Sequence, residues 1–211
     1  MQIDIKSFPF NRKSKTINLD EIASYEYIPL ETTDKSLLDK DYKVWHIDNE
    51  NIIITNNVRC EVFFFNRAGK FKSSFGCKGA ANTEIHSGIG GCFWDMQKRE
   101  LYINDFPHCN RILVFNEKGK HLRTLHIGDR YSFSEHIADF DENSFLAYDE
   151  KNMYTQEPHV VAQSNPYPYV LLSKMDGKKV GQLPFYVSKR ISNRFFQEKL
   201  GGTLLFASFP G

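Results

Sequence analysis

The feature that most constrains the fold of this chain is an internal repeat of about 50 residues. The segment Phe65–Lys70 (FNRAGK) recurs 50 residues later as Phe115–Lys120 (FNEKGK), and Lys174–Lys178 (KMDGK) is a third copy. A second set of matching segments precedes these at spacings of 49 and 44 residues: Ile52–Asn56, Leu101–Asp105 and Phe145–Asp149. Repeats of this length are supersecondary units that bury their apolar faces against one another. The repeat therefore predicts three similar units side by side.

Each unit contains four predicted strands, and the second strand is the matching segment just given. The predicted inner strands are Val44–Asp48, Cys92–Gln97 and Ile137–Asp141. The third strands are Val62–Phe65, Ile112–Phe115 and Tyr169–Leu172, and the fourth are Phe71–Phe75, His121–His126 and Lys179–Leu183. β-branched and aromatic residues dominate, and no stretch has a helical period, which predicts an all-β fold. Four strands per unit are typical of a β-propeller blade, whose two faces are both buried.

One loop resembles that of a known family. The segment Phe75–Ile85 (FGCKGAANTEI) is similar to the loop of NHL-like six-bladed β-propeller proteins of gut-type bacteria, which reads Gly-x-Lys-Gly-x-Gly-Pro-Gly-Glu-Tyr. The matching residues are Gly76, Lys78, Gly79 and Glu84, whereas Ala81, Asn82 and Thr83 replace Gly-Pro-Gly. The resemblance runs from about Ile17 to the end, with Ile22–Leu30 similar to the opening strand. It implies an exported protein, periplasmic or associated with the outer membrane in its full-length form, and no assigned activity.

The length of 211 residues is short for six blades, which need about 270. We therefore expect a single partial β-propeller domain over 1–211, an open arc of about three complete blades and part of another. Its expected parts are an opening strand and linker (17–40), blades at 41–79, 89–128 and 133–185 with a long loop at 150–168, and the start of a further blade (186–211). An open arc leaves an unpaired edge and an exposed blade face, so we expect aggregation or dependence on a partner.

Composition restricts the partners and the location. The 27 Lys and Arg residues are balanced by 26 Asp and Glu residues, so the chain lacks the basic excess of a nucleic-acid-binding protein. Met1–Phe10 does not resemble a signal peptide, and no apolar run is long enough to be a transmembrane segment. The four cysteines are 17, 15 and 17 residues apart without a C-x-x-C pair, which favours free structural thiols over one disulfide or a metal site.

Polar residues recur on the predicted inner strands. His46, Asp95 and Asp139 follow the same spacings of 49 and 44 residues, and inner strands line the channel of a propeller. These side chains are candidates for binding a ligand, or a channel cation if they approach within metal-ligand distances. The alternative is that they hold the backbone of the following turns, as Asp commonly does.

A second group of candidates lies on the predicted connecting loops. Connections between blades share one face with the turns between second and third strands, which places His86, His108, Tyr154 and His159 there. The third unit carries about 14 extra residues in this region, rich in aromatic residues and proline. Long loops on a rigid scaffold often bind ligands, although self-packing accounts for such a loop equally well.

The motifs of common enzyme classes are missing from the sequence. It contains no G-x-S-x-G, H-E-x-x-H or G-x-x-x-x-G-K-[ST]. We therefore favour a non-catalytic module that binds a ligand, a protein or a glycan and needs no resident cofactor. The alternative is a metal-assisted lyase or hydrolase that acts on a glycan or peptide at the channel mouth.

Overall fold

The computed structural model describes residue 18 and residues 21–24, 26–106, 111–127, 137–149 and 167–185, with the backbone of two short strands near the C-terminus. Three site candidates, His108, Tyr154 and His159, lie outside the described residues, as does most of the predicted loop 150–168.

The described strands form three four-stranded antiparallel sheets. Sheet 1 contains β1 (Tyr42–Ile47), β2 (Asn51–Asn56), β3 (Glu61–Asn66) and β4 (Phe71–Gly76). Sheet 2 contains β5 (Ile89–Asp95), β6 (Glu100–Asp105), β7 (Arg111–Asn116) and β8 (His121–His126). Sheet 3 contains β9 (Ile137–Asp139), β10 (Ser144–Tyr148), β11 (Tyr169–Ser173) and β12 (Lys179–Gln182), and a short pair joins β13 (Phe196–Gln197) to β14 (Thr203–Leu204).

This architecture confirms the predicted fold class. In each sheet the strands are hydrogen-bonded in chain order, and every strand pairing is antiparallel. The described residues contain no α-helix. The sheets are the blades of an open propeller arrangement.

The blades share two continuous apolar cores. The core between sheets 1 and 2 includes Phe64, Val62, Trp94 and Phe115, and the core between sheets 2 and 3 includes Tyr102, Leu125, Phe145 and Val170. Alternate residues of β3 face opposite sides, which is why the run Val62–Phe65 has no residue more than 7% exposed. The apolar strands of the repeat are therefore buried on both faces.

The repeated glycine marks where one blade contacts the outer strand of the blade before it. Gly119 has φ +77°, and a Cβ built on it would lie 2.5 Å from the Cβ of Phe75 in β4. A Cβ on Gly177, which also has φ +77°, would lie 3.0 Å from the Cβ of Leu125 in β8. Only glycine combines this backbone conformation with so close a contact.

The segment before sheet 1 repeats this relationship. Gly69 has φ +79°, and a Cβ on it would lie 3.2 Å from Cγ2 of Ile28 and against the Pro29 carbonyl. Ile28 and Leu30 pack against the core of Ile52, Ile54, Phe63 and Phe65 on the other face of sheet 1. Residues 26–30 thus occupy the place of the outer strand of a preceding blade, although they pair with no strand in the described part of the chain. The interpretation of Ile22–Leu30 as the opening strand of a ring remains a prediction.

Three cysteines are buried in the core between sheets 1 and 2. Cys60, Cys77 and Cys92 are free thiols and no more than 5% exposed, whereas Cys109 lies outside the described residues. Burial raises the pKa of all three thiols. They therefore behave as apolar core residues and not as reactive thiolates.

Candidate functional site

A groove that could hold a ligand runs along the inner strands. Each inner strand, β1, β5 or β9, is the terminal strand of its sheet, and β5 lies next to both of the others. The cavity has a volume of about 630 Å³ and lies where the three sheets converge. Its lining residues are Trp45, His46, Cys92, Phe93, Trp94, Met96, Gln97, Ile137, Ala138 and Asp139. Two of the predicted site residues, His46 and Asp139, therefore line one groove.

His46 is held in the groove by a carboxylate on its own strand end. Its Nε2 lies 2.7 Å from Oδ2 of Asp48, whose other oxygen accepts the amides of Glu50 and Asn51. Burial alone would raise the pKa of Asp48, but these amide hydrogen bonds and His46 bring it below its ordinary value.

Asp95 lies beneath the groove and does not line it. It is 1% exposed, and its Oδ1 accepts the amides of Gln97 and Lys98 at 3.0 and 2.9 Å. Asp48 and Asp141 each cap the turn after an inner strand in the same way. Asp95 therefore shares the turn-capping position of these two residues and not the position of His46 or Asp139. Two residues separate Asp48 from β2, whereas four residues separate Asp95 from β6, which accounts for the displaced alignment.

Asp95 and Asp139 are joined by a lysine that sequence reasoning missed. The Lys174 Nζ lies 2.6 Å from Oδ2 of Asp95 and 2.6 Å from Oδ1 of Asp139. Lys174 is 2% exposed, whereas the side chain of Asp139 is 44% exposed at the groove. The position that we predicted for a channel cation between the two carboxylates is taken by this ammonium group.

The ion pair leaves both buried partners charged. Burial raises the pKa of Asp95, but Lys174 and the two turn amides outweigh it and lower the pKa below its ordinary value. For Lys174, burial lowers the pKa and the two carboxylates outweigh that effect, so the pKa is raised. Arg123 of β8 donates to the Lys174 carbonyl at 3.0 and 3.1 Å and so fixes the turn between β11 and β12. These contacts tie sheet 2 to sheet 3 behind the groove.

His86 lies at the other end of the propeller from the groove residues Met96 and Gln97. It belongs to the loop before β5, whereas Met96 and Gln97 follow β5. His86 is exposed; its Nε2 contacts the Ala81 carbonyl at 3.0 Å, and its amide donates to Asp105. The structure thus separates His86 from His46 and Asp139.

The loop that carries the family resemblance is anchored by a buried arginine. Arg111 donates Nε and Nη2 to Oδ2 of Asp105 at 3.0 and 2.7 Å, and it also donates to the carbonyls of Asn82 and Glu84. Asp105 in addition accepts the amides of His86 and Ser87. A Cβ on Gly79 would collide with the Glu84 carboxylate, so the glycine of the motif permits a close approach. Arg111 and Asp105 therefore fix the shape of this loop, and Gly79 of the motif allows the Glu84 carboxylate to lie against the backbone.

The polar residues that end the second strands of sheets 1 and 2, Asn56 and Asp105, also bond loop amides. Asn56 Oδ1 accepts the amides of Val58 and Arg59 at 3.1 and 2.9 Å, and Asp105 performs the equivalent task in the next blade. Among the described residues, no three His, Cys, Asp or Glu side chains are grouped as metal ligands.

The family of the chain follows from a match over nearly its full length. A family profile described as "Domain of unknown function (DUF4934)" matches residues 2–203. The chain belongs to the DUF4934 family. No curated protein matches it.

Solved structures are similar to this DUF4934 chain in fold. A "Putative exported protein" from Bacteroides fragilis has a TM-score of 0.55 and 15% identity over 86% of this chain. BamB from Moraxella catarrhalis and the protein U3-55K have TM-scores of 0.43 and 0.42, each with 12% identity, and they cover 69% and 71% of this chain. The chain spans 46%, 36% and 43% of these three structures, which is less than half of each. In the part of the chain that the structure describes, no helix is long and apolar enough to cross a membrane.

Proposed function

We propose that this DUF4934 chain is a non-catalytic binding module that holds its ligand in the groove along β1, β5 and β9. The observation that carries the proposal is the groove itself: a cavity of about 630 Å³ with largely apolar walls and three polar lining side chains, His46, Gln97 and Asp139. Pockets with this combination of apolar walls and a few oriented polar groups are typical ligand sites. The scaffold beneath is rigid, because Lys174 and the turn caps fix the strand ends.

The charged groups around the groove are arranged for structural stability. Asp95 is capped by two amides and paired with Lys174, and His46 is paired with Asp48. These interactions support binding by a preformed surface. The lyase or hydrolase alternative gains no supporting observation from the described residues, and the experiment below includes it as an outcome.

The proposed location is outside the cytoplasm in the full-length form, either periplasmic or associated with the outer membrane. The supporting observation is the fold shared with the Bacteroides fragilis protein whose name is "Putative exported protein". The expected NHL-like six-bladed ring is part of the same proposal. Expression of the full-length protein with a C-terminal tag, followed by cell fractionation, tests the location. Recovery of the tagged protein in the cytoplasmic fraction would contradict it.

The test of the groove is an amide NMR titration of the ¹⁵N-labelled chain with two probe mixtures, random hexapeptides and neutral oligosaccharides. We expect shift changes concentrated at Trp45–His46, Met96–Gln97 and Ala138–Asp139. Ala138→Arg places a long side chain in the groove and should abolish the changes. Val58→Arg is the matched control, because Val58 is 71% exposed in the β2–β3 turn, away from the groove.

Three results would contradict the proposal. One is shift changes centred on the loop that contains His86, and another is the absence of changes with both mixtures. The third is cleavage of either probe, lost in the His46→Ala or Asp139→Asn variant, which would favour the enzyme alternative.

A further inference from the structure

We infer that the ligand of the groove is an extended protein segment that carries a basic side chain between apolar ones. This inference rests on the proposed function, and it names the partner class of the same site.

The first argument is the edge that the inner strands present. β1 and β9 each pair with a single strand of their own sheet and contain exposed residues, so one backbone edge of each faces away from that sheet, whereas β5 between them is buried. Exposed apolar side chains accompany these edges: Val44, Ile47, Met96 and Phe140 are 51%, 56%, 47% and 48% exposed. Backbone groups that can bond a chain, together with apolar side chains that can pack on its residues, suit an extended peptide.

The second argument separates a peptide from a glycan. Sugars stack on open aromatic faces, but the aromatic rings of this groove are largely covered. Trp94 and Phe93 are 2% and 6% exposed, and the Lys43 ammonium lies 4.0 Å from the centre of the Trp45 ring. The groove therefore offers apolar contact without a free stacking platform.

The third argument is the charge of the groove wall on sheet 3. Asp139 contacts Lys174 through Oδ1, yet 44% of its side chain remains exposed, so a ligand can reach the carboxylate. Asp141 and Glu142 follow on the adjacent turn and are exposed. Lys174, which would oppose them, is 2% exposed and presents no charge at the surface. A cationic side chain of the ligand complements this wall.

The test compares three fluorescent peptides with Gly-Ser flanks and the cores Leu-Arg-Leu, Leu-Gln-Leu and Leu-Glu-Leu, measured by anisotropy on the full chain. We expect the Arg core to bind about tenfold more tightly than the Glu core. Asp139→Asn should weaken the Arg core about tenfold and leave the Gln core within about twofold. Asp176→Asn is the matched control, because it removes the same charge from a side chain that is 42% exposed and does not line the groove.

A salt titration of the unmodified chain keeps the test independent of any variant's folding. The preference for the Arg core should shrink as NaCl rises from about 50 to about 500 mM. Equal affinity for the three cores, with all binding lost in Ala138→Arg, would overturn the inference that the ligand carries a basic side chain. The groove would remain a binding site. The neutral oligosaccharide maltohexaose is measured alongside the peptides. If neither maltohexaose nor any of the three peptides binds, the proposed function itself is overturned. Binding of maltohexaose alone would keep the groove and overturn the peptide.

Discussion

Lys174 of sheet 3 places its ammonium nitrogen 2.6 Å from the Asp95 carboxylate of sheet 2, and both side chains are 2% exposed. The two residues are 79 positions apart in the chain, and the pair joins two neighbouring blades. Removing one partner of a buried pair leaves an uncompensated charge, and the loss exceeds the net stabilisation that the pair provides.

The first prediction concerns the loss of this lysine. Lys174→Met leaves Asp95 buried beside an apolar side chain, and we expect the free energy of unfolding to fall by about 3–5 kcal/mol. Urea unfolding followed by tryptophan fluorescence measures it. Lys118→Met is the control, since Lys118 lies exposed on the equivalent turn of sheet 2, and it should change stability by less than about 0.5 kcal/mol. Similar effects of the two substitutions would contradict a structural role for the pair.

The second prediction is the pH dependence of the same pair. The folded pKa of Asp95 lies below its ordinary value of 3.8, so its contribution is present above that value and is lost as pH falls through the folded pKa. The folded pKa of Lys174 lies above 10.5, so its contribution is lost only as pH rises through that higher value. Asp95→Asn should therefore be destabilising at neutral pH, with a difference from the unmodified chain that shrinks below about pH 4. A difference that stays constant down to pH 2 would contradict the assignment.

The third prediction tests the contact between a turn and the preceding outer strand. Gly119→Ala requires a residue with φ +77° and a Cβ 2.5 Å from that of Phe75. We expect a loss of more than about 2 kcal/mol, from backbone strain and overpacking together. Gly76→Ala is the matched control, because a Cβ there meets no atom within 4 Å. Calorimetry of both variants measures the effect. Equal melting temperatures would count against the contact between Gly119 and Phe75.

The fourth prediction concerns the loop that Arg111 anchors. Arg111→Met removes the partner of Asp105, whose side chain is 0% exposed, and it frees the carbonyls of Asn82 and Glu84. We expect hydrogen exchange at the Ile85 amide to accelerate and stability to fall by about 3–5 kcal/mol. Arg59→Met, which breaks a half-exposed pair with Asp39, should cost no more than about 1 kcal/mol. Unchanged exchange at Ile85 would show that the loop holds its shape without Arg111.

The fifth prediction concerns the buried thiols. In a Cys109→Ser variant we expect Cys60, Cys77 and Cys92 to react with a thiol reagent only after unfolding, because burial raises the pKa of each. Titration in buffer and in denaturant measures this. Rapid labelling of any of the three in buffer would contradict the core packing described for sheets 1 and 2.

The repeat was sufficient to predict the sheets but not the pairing of charges between them. The fourth strands predicted at Phe71–Phe75 and His121–His126 are observed at Phe71–Gly76 and His121–His126, since strand and turn signals are local. The position of Asp95 was misplaced because a fixed spacing of 49 residues ignores the longer turn after β5. The repeat places Lys174 in a turn, and no local signal shows that its ammonium reaches a carboxylate 79 residues away. Contacts of this kind depend on how blades pack, which a single sequence does not encode in any short motif.

The contacts of the three turn glycines also bear on the order in which the chain can fold. Ile28, Phe75 and Leu125 each precede, along the chain, the sheet whose turn they contact. During synthesis from the N-terminus, each new sheet therefore emerges when the segment that covers its leading face has already been made. Only the trailing face of the newest sheet has to wait for residues still to come. The apolar surface that a growing chain exposes is thus limited to one sheet face at a time, whatever the number of blades that follow.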